Sequence, residues 1–129
     1  MAETPFSVIA IVRQGGLLLS VSRKHNHQDL GFPGGKVEPG EAPEDAVVRE
    51  LLEETSIRAS TAPRKVYMGE STNAAHFTWA YEIDSWEGTP RSMEGTWVGW
   101  ISPTRFVDPR NSFFPYYHRM FEALGIHYE

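Results

Sequence analysis

Gly34 to Ile57 reads GGKVEPGEAPEDAVVRELLEETSI. Two glycines open it, Pro43 marks a helix start, and acids crowd its end. Seven of the chain's 17 acidic residues lie between Glu38 and Glu54, so this stretch holds a concentrated negative charge. Pro43 suits the first helical position, because its missing N–H would have had no partner there. Ala42 then becomes the N-cap, and alanine has no oxygen with which to cap. Glu44 and Asp45 in the first turn compensate through the helix dipole.

On a helical wheel Glu50, Glu53 and Glu54 share one sector, with Ala46 beneath them. Val47, Val48, Leu51 and Leu52 fill a broad apolar sector, which predicts a buried face opposite a carboxylate face. Carboxylates at i, i+3 and i+4 are neighbours and repel. Arg49 is the one basic residue interleaved with them. A hard divalent cation relieves such repulsion, because Mg²⁺ prefers oxygen ligands. A plain solvated acidic face is the competing reading of the same spacing.

Gly35, five residues, Glu41, seven residues, then Arg49-Glu50-Leu51-x-Glu53-Glu54-x-Ser56-Ile57 resembles the signature of the Nudix hydrolases. Ser56 stands where that signature has glycine. The position lies just past the helix, where a left-handed residue is common, and serine there costs on the order of 1 kcal/mol. The resemblance implies an α/β/α sandwich around a mixed sheet, in a single domain spanning 1–129. It also implies hydrolysis of a nucleoside diphosphate linked to a further group. Within that class the MutT-like reading is favoured: a nucleoside triphosphate cut to monophosphate and pyrophosphate. ADP-ribose, dinucleoside polyphosphates and nucleotide sugars remain alternatives, as does a non-catalytic nucleotide-sensing module on the same fold.

The resemblance also assigns roles. Glu53 and Glu54 become metal ligands with the Gly35 carbonyl, and Glu50 a ligand or the general base. The metal is Mg²⁺, with Mn²⁺ an alternative. Glu41 and Arg49 pair to orient the helix against the preceding loop. Arg23 contacts substrate phosphate, and Lys36 either meets phosphate or faces solvent. A further acid comes from a later loop, where Glu94 is chosen over Glu70, Glu82 and Glu87 as ligand or base. Asn111 either binds a purine or caps the last helix.

The remaining chain is read from its own patterns. Phe6–Val12 is a β-branched run that predicts a buried strand. Gln14-Gly15-Gly16 is a turn signal, so residues 6–21 predict a hairpin. His25–Asp29 predicts a polar loop, and its two histidines lack a nearby third metal ligand. Strands are expected over 57–60, 65–70, 75–83 and 96–101, with Trp97 and Trp100 on opposite faces. A short helix is expected over 103–106. A last helix runs from a cap at Asn111 or Ser112 to a stop at Gly125, with Phe114, Tyr117, Phe121 and Leu124 as its core stripe. This order of elements is α+β or mixed α/β.

Composition sets the outer limits. The chain has 129 residues, enough for one domain with one core. It has no cysteine, which excludes disulfides and thiolate metal sites. The net charge of −5 provides no basic surface for a nucleic-acid polymer. Neither a membrane span nor a secretory signal is expected. A cytoplasmic protein, monomeric or homodimeric, acting on a nucleotide is the resulting expectation.

Overall fold

A computed structural model describes residues 5–71 and 76–129. The strands are β1 (Ser7–Ile11), β2 (Arg13–Gln14), β3 (Leu17–Arg23), β4 (Asn26–Gly31) and β5 (Gly34–Lys36) before the first helix, α1 (Pro43–Thr55). After it come β6 (Arg58–Ala59), β7 (Arg64–Glu70), β8 (Phe77–Glu82), β9 (Trp86–Glu87) and β10 (Val98–Ile101). Helices α2 (Pro103–Phe106) and α3 (Phe114–Leu124) close the chain. Ala75, the first residue of the strand expected over 75–83, lies outside the described residues.

The order β5-β1-β8-β7 makes a mixed sheet, in which β1 runs parallel to β8 and antiparallel to β5. A second sheet runs β10-β3-β2, with β4 also paired to β3. The short pair β6–β9 stands apart.

Strand β1 explains why helices lie on both faces of the mixed sheet. Its side chains alternate across the sheet, and from Val8 onward both sets are apolar. Val8, Ala10 and Val12 join a cluster with Val47, Leu51 and Tyr81 on the α1 side. Ile9 and Ile11 join Phe32, Phe106, Tyr116 and Phe121 on the α3 side. A strand buried on both faces must be covered twice, and the result is the α/β/α sandwich.

Four expectations are corrected. The hairpin over 6–21 shrinks to a tip: Arg13 and Gln14 pair with Leu18 and Leu17, while Ser7–Ile11 goes to the other sheet between β5 and β8. Residues buried on two faces gain more from a central strand than from a two-stranded ribbon. The polar loop over 25–29 is mostly strand, since β4 begins at Asn26 and pairs with β3. The α3 stripe is turned: Tyr116, Tyr117, Met120 and Phe121 are buried, and Phe114 and Leu124 are only half-buried. No side chain caps α3, whose N-cap position is Phe113.

Helix α1 starts as read, with Ala42 at an uncapped N-cap and Pro43 in the first turn. It ends at Ser56 in the left-handed region, φ 69°. Its buried residues are Ala46, Val47, Leu51 and Thr55. Ala46 therefore belongs to the core and not beneath a solvated face, and the acidic sector is rolled partly towards the protein.

Candidate active site

Gly35 lets α1 come close to β5. A Cβ on Gly34 would stand 2.1 Å from the Val8 carbonyl oxygen of the neighbouring β1, so that glycine serves the strand pairing, while Gly35 faces the helix. A Cβ on Gly35 would stand 2.6 Å from the Glu50 carboxyl carbon. The strand backbone thus lies directly against the acids of the helix. The Gly34 N–H donates to Glu54 Oε1 at 2.7 Å.

Burial sets the electrostatics here. Glu54 is half-buried, and this pushes its carboxyl up to about 8. The Gly34 hydrogen bond opposes the rise, while the charges of Glu50, Glu94 and Glu53 add to it. Glu50 is also raised, first by burial, with Arg49 opposing. These are the shifts expected of like charges drawn together out of water.

Arg49 is the counter-charge. It grips Glu41 with two bonds, Nε to Oε2 at 2.8 Å and Nη2 to Oε1 at 3.0 Å. Its Nη1 donates to Glu50 at 2.9 Å and to Glu53 at 2.8 Å. Its Nη2 also reaches the Lys36 carbonyl at 3.3 Å. The guanidinium holds Glu41 down to about 2, chiefly through the hydrogen bonds. A planar fork with five donors is suited to this bridging, and lysine would not replace it.

A pocket of about 370 Å³ opens beside this cluster. Arg23, Gly35, Lys36 and Glu54 line it, so four of the residues named from the sequence share one cavity. Asp29, Phe113 and Tyr117 line it too, and the sequence reading did not single them out. The sequence pattern puts Asp29 in a polar loop and Tyr117 in a core stripe. No period-2 signal marks β4, since Asn26-His27-Gln28-Asp29 is polar throughout and only Leu30 is buried; the strand that delivers Asp29 comes from pairing with β3.

Asn111 is set apart from the cavity. It is 2% exposed, and its carboxamide is taken up by the Leu30 N–H and the carbonyls of Arg105 and Phe106. Of the rival acids, Glu82 ends β8 and is tied to Arg13 at 2.9 Å, and Glu87 ends β9 and lies 3.5 Å from the Ser60 hydroxyl. Glu94 is exposed on its loop, yet its charge bears on both Glu50 and Glu54.

Among the described residues no three His, Asp or Glu side chains stand close enough together to hold a metal. Arg49 occupies Glu50 and Glu53, and Glu54 is turned to Gly34. The donor chemistry nevertheless fits a hard cation. Three carboxylates share the helix face that meets a strand with no side chains at Gly34 and Gly35, and Glu50 and Glu54 are raised chiefly by burial, with neighbouring carboxylates adding to it, so a cation there would be favoured.

A model of the NUDIX domain matches residues 3–122. The chain belongs to the Nudix family. It is 35% identical over 99 residues to the 8-oxo-dGTP diphosphatase of Escherichia coli K12, covering 73% of this chain and 77% of that one. It is 32% identical over 100 residues to the CTP pyrophosphohydrolase of the same organism, covering 74% of each. The crystal structure of a MutT Nudix hydrolase from Burkholderia pseudomallei superposes with a TM-score of 0.67 at 26% identity, over 79% of this chain and 85% of that one. This Nudix protein is accordingly a hydrolase, of a family whose members use divalent metals and act on nucleotides. No helix among its described residues is long and apolar enough to cross a membrane.

Proposed function

We propose that the chain, as one Nudix domain over 1–129, hydrolyses nucleoside triphosphates to monophosphate and pyrophosphate with Mg²⁺. The carrying observation is the shared cavity: a half-buried carboxylate, Glu54, and two cations, Arg23 and Lys36, line one pocket with aromatic walls. Both relatives named above act, by their names, on nucleoside triphosphates.

Glu50, Glu53, Glu54 and the Gly35 carbonyl would hold the cation, with Glu94 approaching from its loop. When bound, the cation neutralises phosphate charge and acidifies a water. The chain supplies the rest. Arg23 and Lys36 offset the phosphate charge that would repel an incoming hydroxide. Arg49 keeps the helix acids in register with Glu41 and the β5 backbone. Water adds to phosphorus, a phosphoric anhydride bond breaks, and the water's proton passes to a carboxylate of the cluster, with Glu50 the candidate base. Asn111 serves this site from behind, by holding β4 to the segment before α3. Cytoplasmic location, a monomeric or homodimeric state, and no nucleic-acid polymer or membrane partner complete the reading.

A panel of nucleoside triphosphates, ADP-ribose, dinucleoside polyphosphates and nucleotide sugars, assayed with Mg²⁺ and again with chelator, tests it. Pyrophosphate released from a triphosphate and abolished by chelator is expected. Turnover confined to ADP-ribose or a nucleotide sugar would overturn the substrate class, and no turnover of any member would favour a nucleotide sensor.

A further inference from the structure

Two exposed aromatic rings stand on the pocket wall, Phe6 at 39% and Phe113 at 40% exposure. Phe6 is already stacked on His76, with ring centroids 3.8 Å apart and planes 13° from parallel. Lys36 Nζ also sits 5.2 Å from the Phe6 ring. Phe113 has no such stacked aromatic among the described residues. Tyr117 meets it edge-on, at 6.4 Å and 67°. The Arg23 guanidinium lies 5.6 Å from its centroid. Each ring thus carries a cation over it, but only Phe6 is also covered by a stacked aromatic, so Phe113, 40% exposed, is the ring with the more open face for a planar ligand.

Its position is fixed from β4. The Ser112 N–H donates to Asp29 Oδ1 at 2.8 Å, and the Ser112 hydroxyl donates to Asp29 Oδ2. Arg23 Nε lies 3.4 Å from the same Oδ2. One residue further on, the Leu30 N–H donates to Asn111. Residues 111 and 112 are therefore pinned to β4 just before Phe113. Asp29 has roughly four acceptor positions; Ser112 takes two of them, and Arg23 adds an ion pair. Its carboxylate is committed to holding the wall and Arg23, and little of it is left for a ligand.

We infer that Phe113 is the wall on which the nucleobase stacks, and that Asp29 is the positioning residue that holds it and Arg23 at the pocket. The inference rests on the triphosphate reading above. Every base has a π face, so stacking here raises affinity without choosing a base. Arg23 stands between the two residues, where a cation serves the phosphates or the ring.

Steady-state kinetics on a purine and a pyrimidine triphosphate, with inorganic tripolyphosphate as competitor, tests this in Phe113→Ala, Phe113→Trp and Asp29→Asn. For Phe113→Ala, KM is expected to rise roughly tenfold for both nucleotides, in line with stacking energies, while kcat falls no more than a few-fold. Tripolyphosphate, which has no base, should inhibit as before, and Phe113→Trp should restore KM. Asp29→Asn should raise KM too and, because it also releases Arg23, weaken tripolyphosphate inhibition; its effect on KM should fall short of additive with Phe113→Ala, because part of it acts through the same wall. Unchanged KM in Phe113→Ala, or an equal loss of tripolyphosphate inhibition, would overturn the stacking role. Full additivity of the two changes would overturn the positioning role. Wild-type protein that turns over no triphosphate would instead refute the substrate reading, an outcome visible before any variant is made.

Discussion

Glu54 shows how far one side chain can be pushed by its surroundings. Its carboxyl is raised to about 8 by burial in a cluster of like charges. The native state therefore holds a proton that the unfolded chain, with an ordinary carboxylate, gives up near 4.5. The stabilisation is fully present below that value and is lost as pH rises from there through about 8. Metal-free protein should lose thermal stability across that window. A bound cation favours the carboxylate form, so the gain in Tm on adding Mg²⁺ should grow with pH. Melts in chelator and in Mg²⁺ between pH 5 and 8.5 check this, and Glu54→Gln should flatten the metal-free slope. A metal-free Tm that climbs over the same range would refute it. Glu41, held down to about 2 by Arg49, has its window at lower pH and does not confuse the result.

Glu94 belongs with it. Glu94→Gln should cut turnover strongly and leave stability nearly unchanged, since the residue is exposed on a loop. The loss should appear in kcat more than in KM, as for an interaction made mainly in the transition state. Glu87→Gln is the control and should be close to silent. The reverse pattern would mean that the wrong loop acid has been chosen.

At the level of the element, α1 was the most legible part of the chain. Pro43, the missing cap at Ala42 and the left-handed Ser56 all follow from local rules that tertiary packing did not override. The direction of the acidic sector was less legible. A wheel gives the angles between residues, but what lies against each face depends on β5, where Gly35 admits the Glu50 carboxylate. Hence Ala46 is buried, and Glu50 and Glu54 are drawn inward with Glu53 left outside. Leu51 is fully buried in the cluster beneath the helix. Leu51→Ala should destabilise by roughly 2–5 kcal/mol, as measured by denaturant melts. A change below about 1 kcal/mol, the size of a typical surface effect, would mean the helix is turned the other way. The stripe expected on the last helix holds at Tyr117 and Phe121, but its centre is turned toward Tyr116 and Met120, because an aromatic-rich segment offers several apolar faces and periodicity alone does not choose among them.

For the molecule as a whole, the sandwich was implied by the family resemblance, and the apolar run Val8–Val12 shows its physical reason, since both faces of that strand demand cover. The pairing of its strands could not be anticipated. Turn signals at Gln14-Gly15-Gly16 suggested a hairpin, and the short β2 satisfies them while β1 goes to a parallel partner far along the chain. Long-range pairing is set by what each face buries, and that is not a local property. The site followed the same division. The helix acids, Gly35, Lys36 and Arg23 carry local signatures, whereas Asp29, Phe113 and Tyr117 meet only because β4 and α3 fold over the same cavity.

The most direct measurement is triphosphate turnover by Glu53→Gln and Glu54→Gln across a series of Mg²⁺ concentrations, with circular dichroism to confirm the fold. Each substitution keeps the size of the side chain and removes the charge that would hold a cation. Turnover should fall by orders of magnitude in both variants, on the order of 10²-fold or more, with the fold intact and at most partial recovery at high Mg²⁺. Near-normal turnover in either variant at ordinary Mg²⁺ would contradict the assignment of the α1 carboxylates as the metal site.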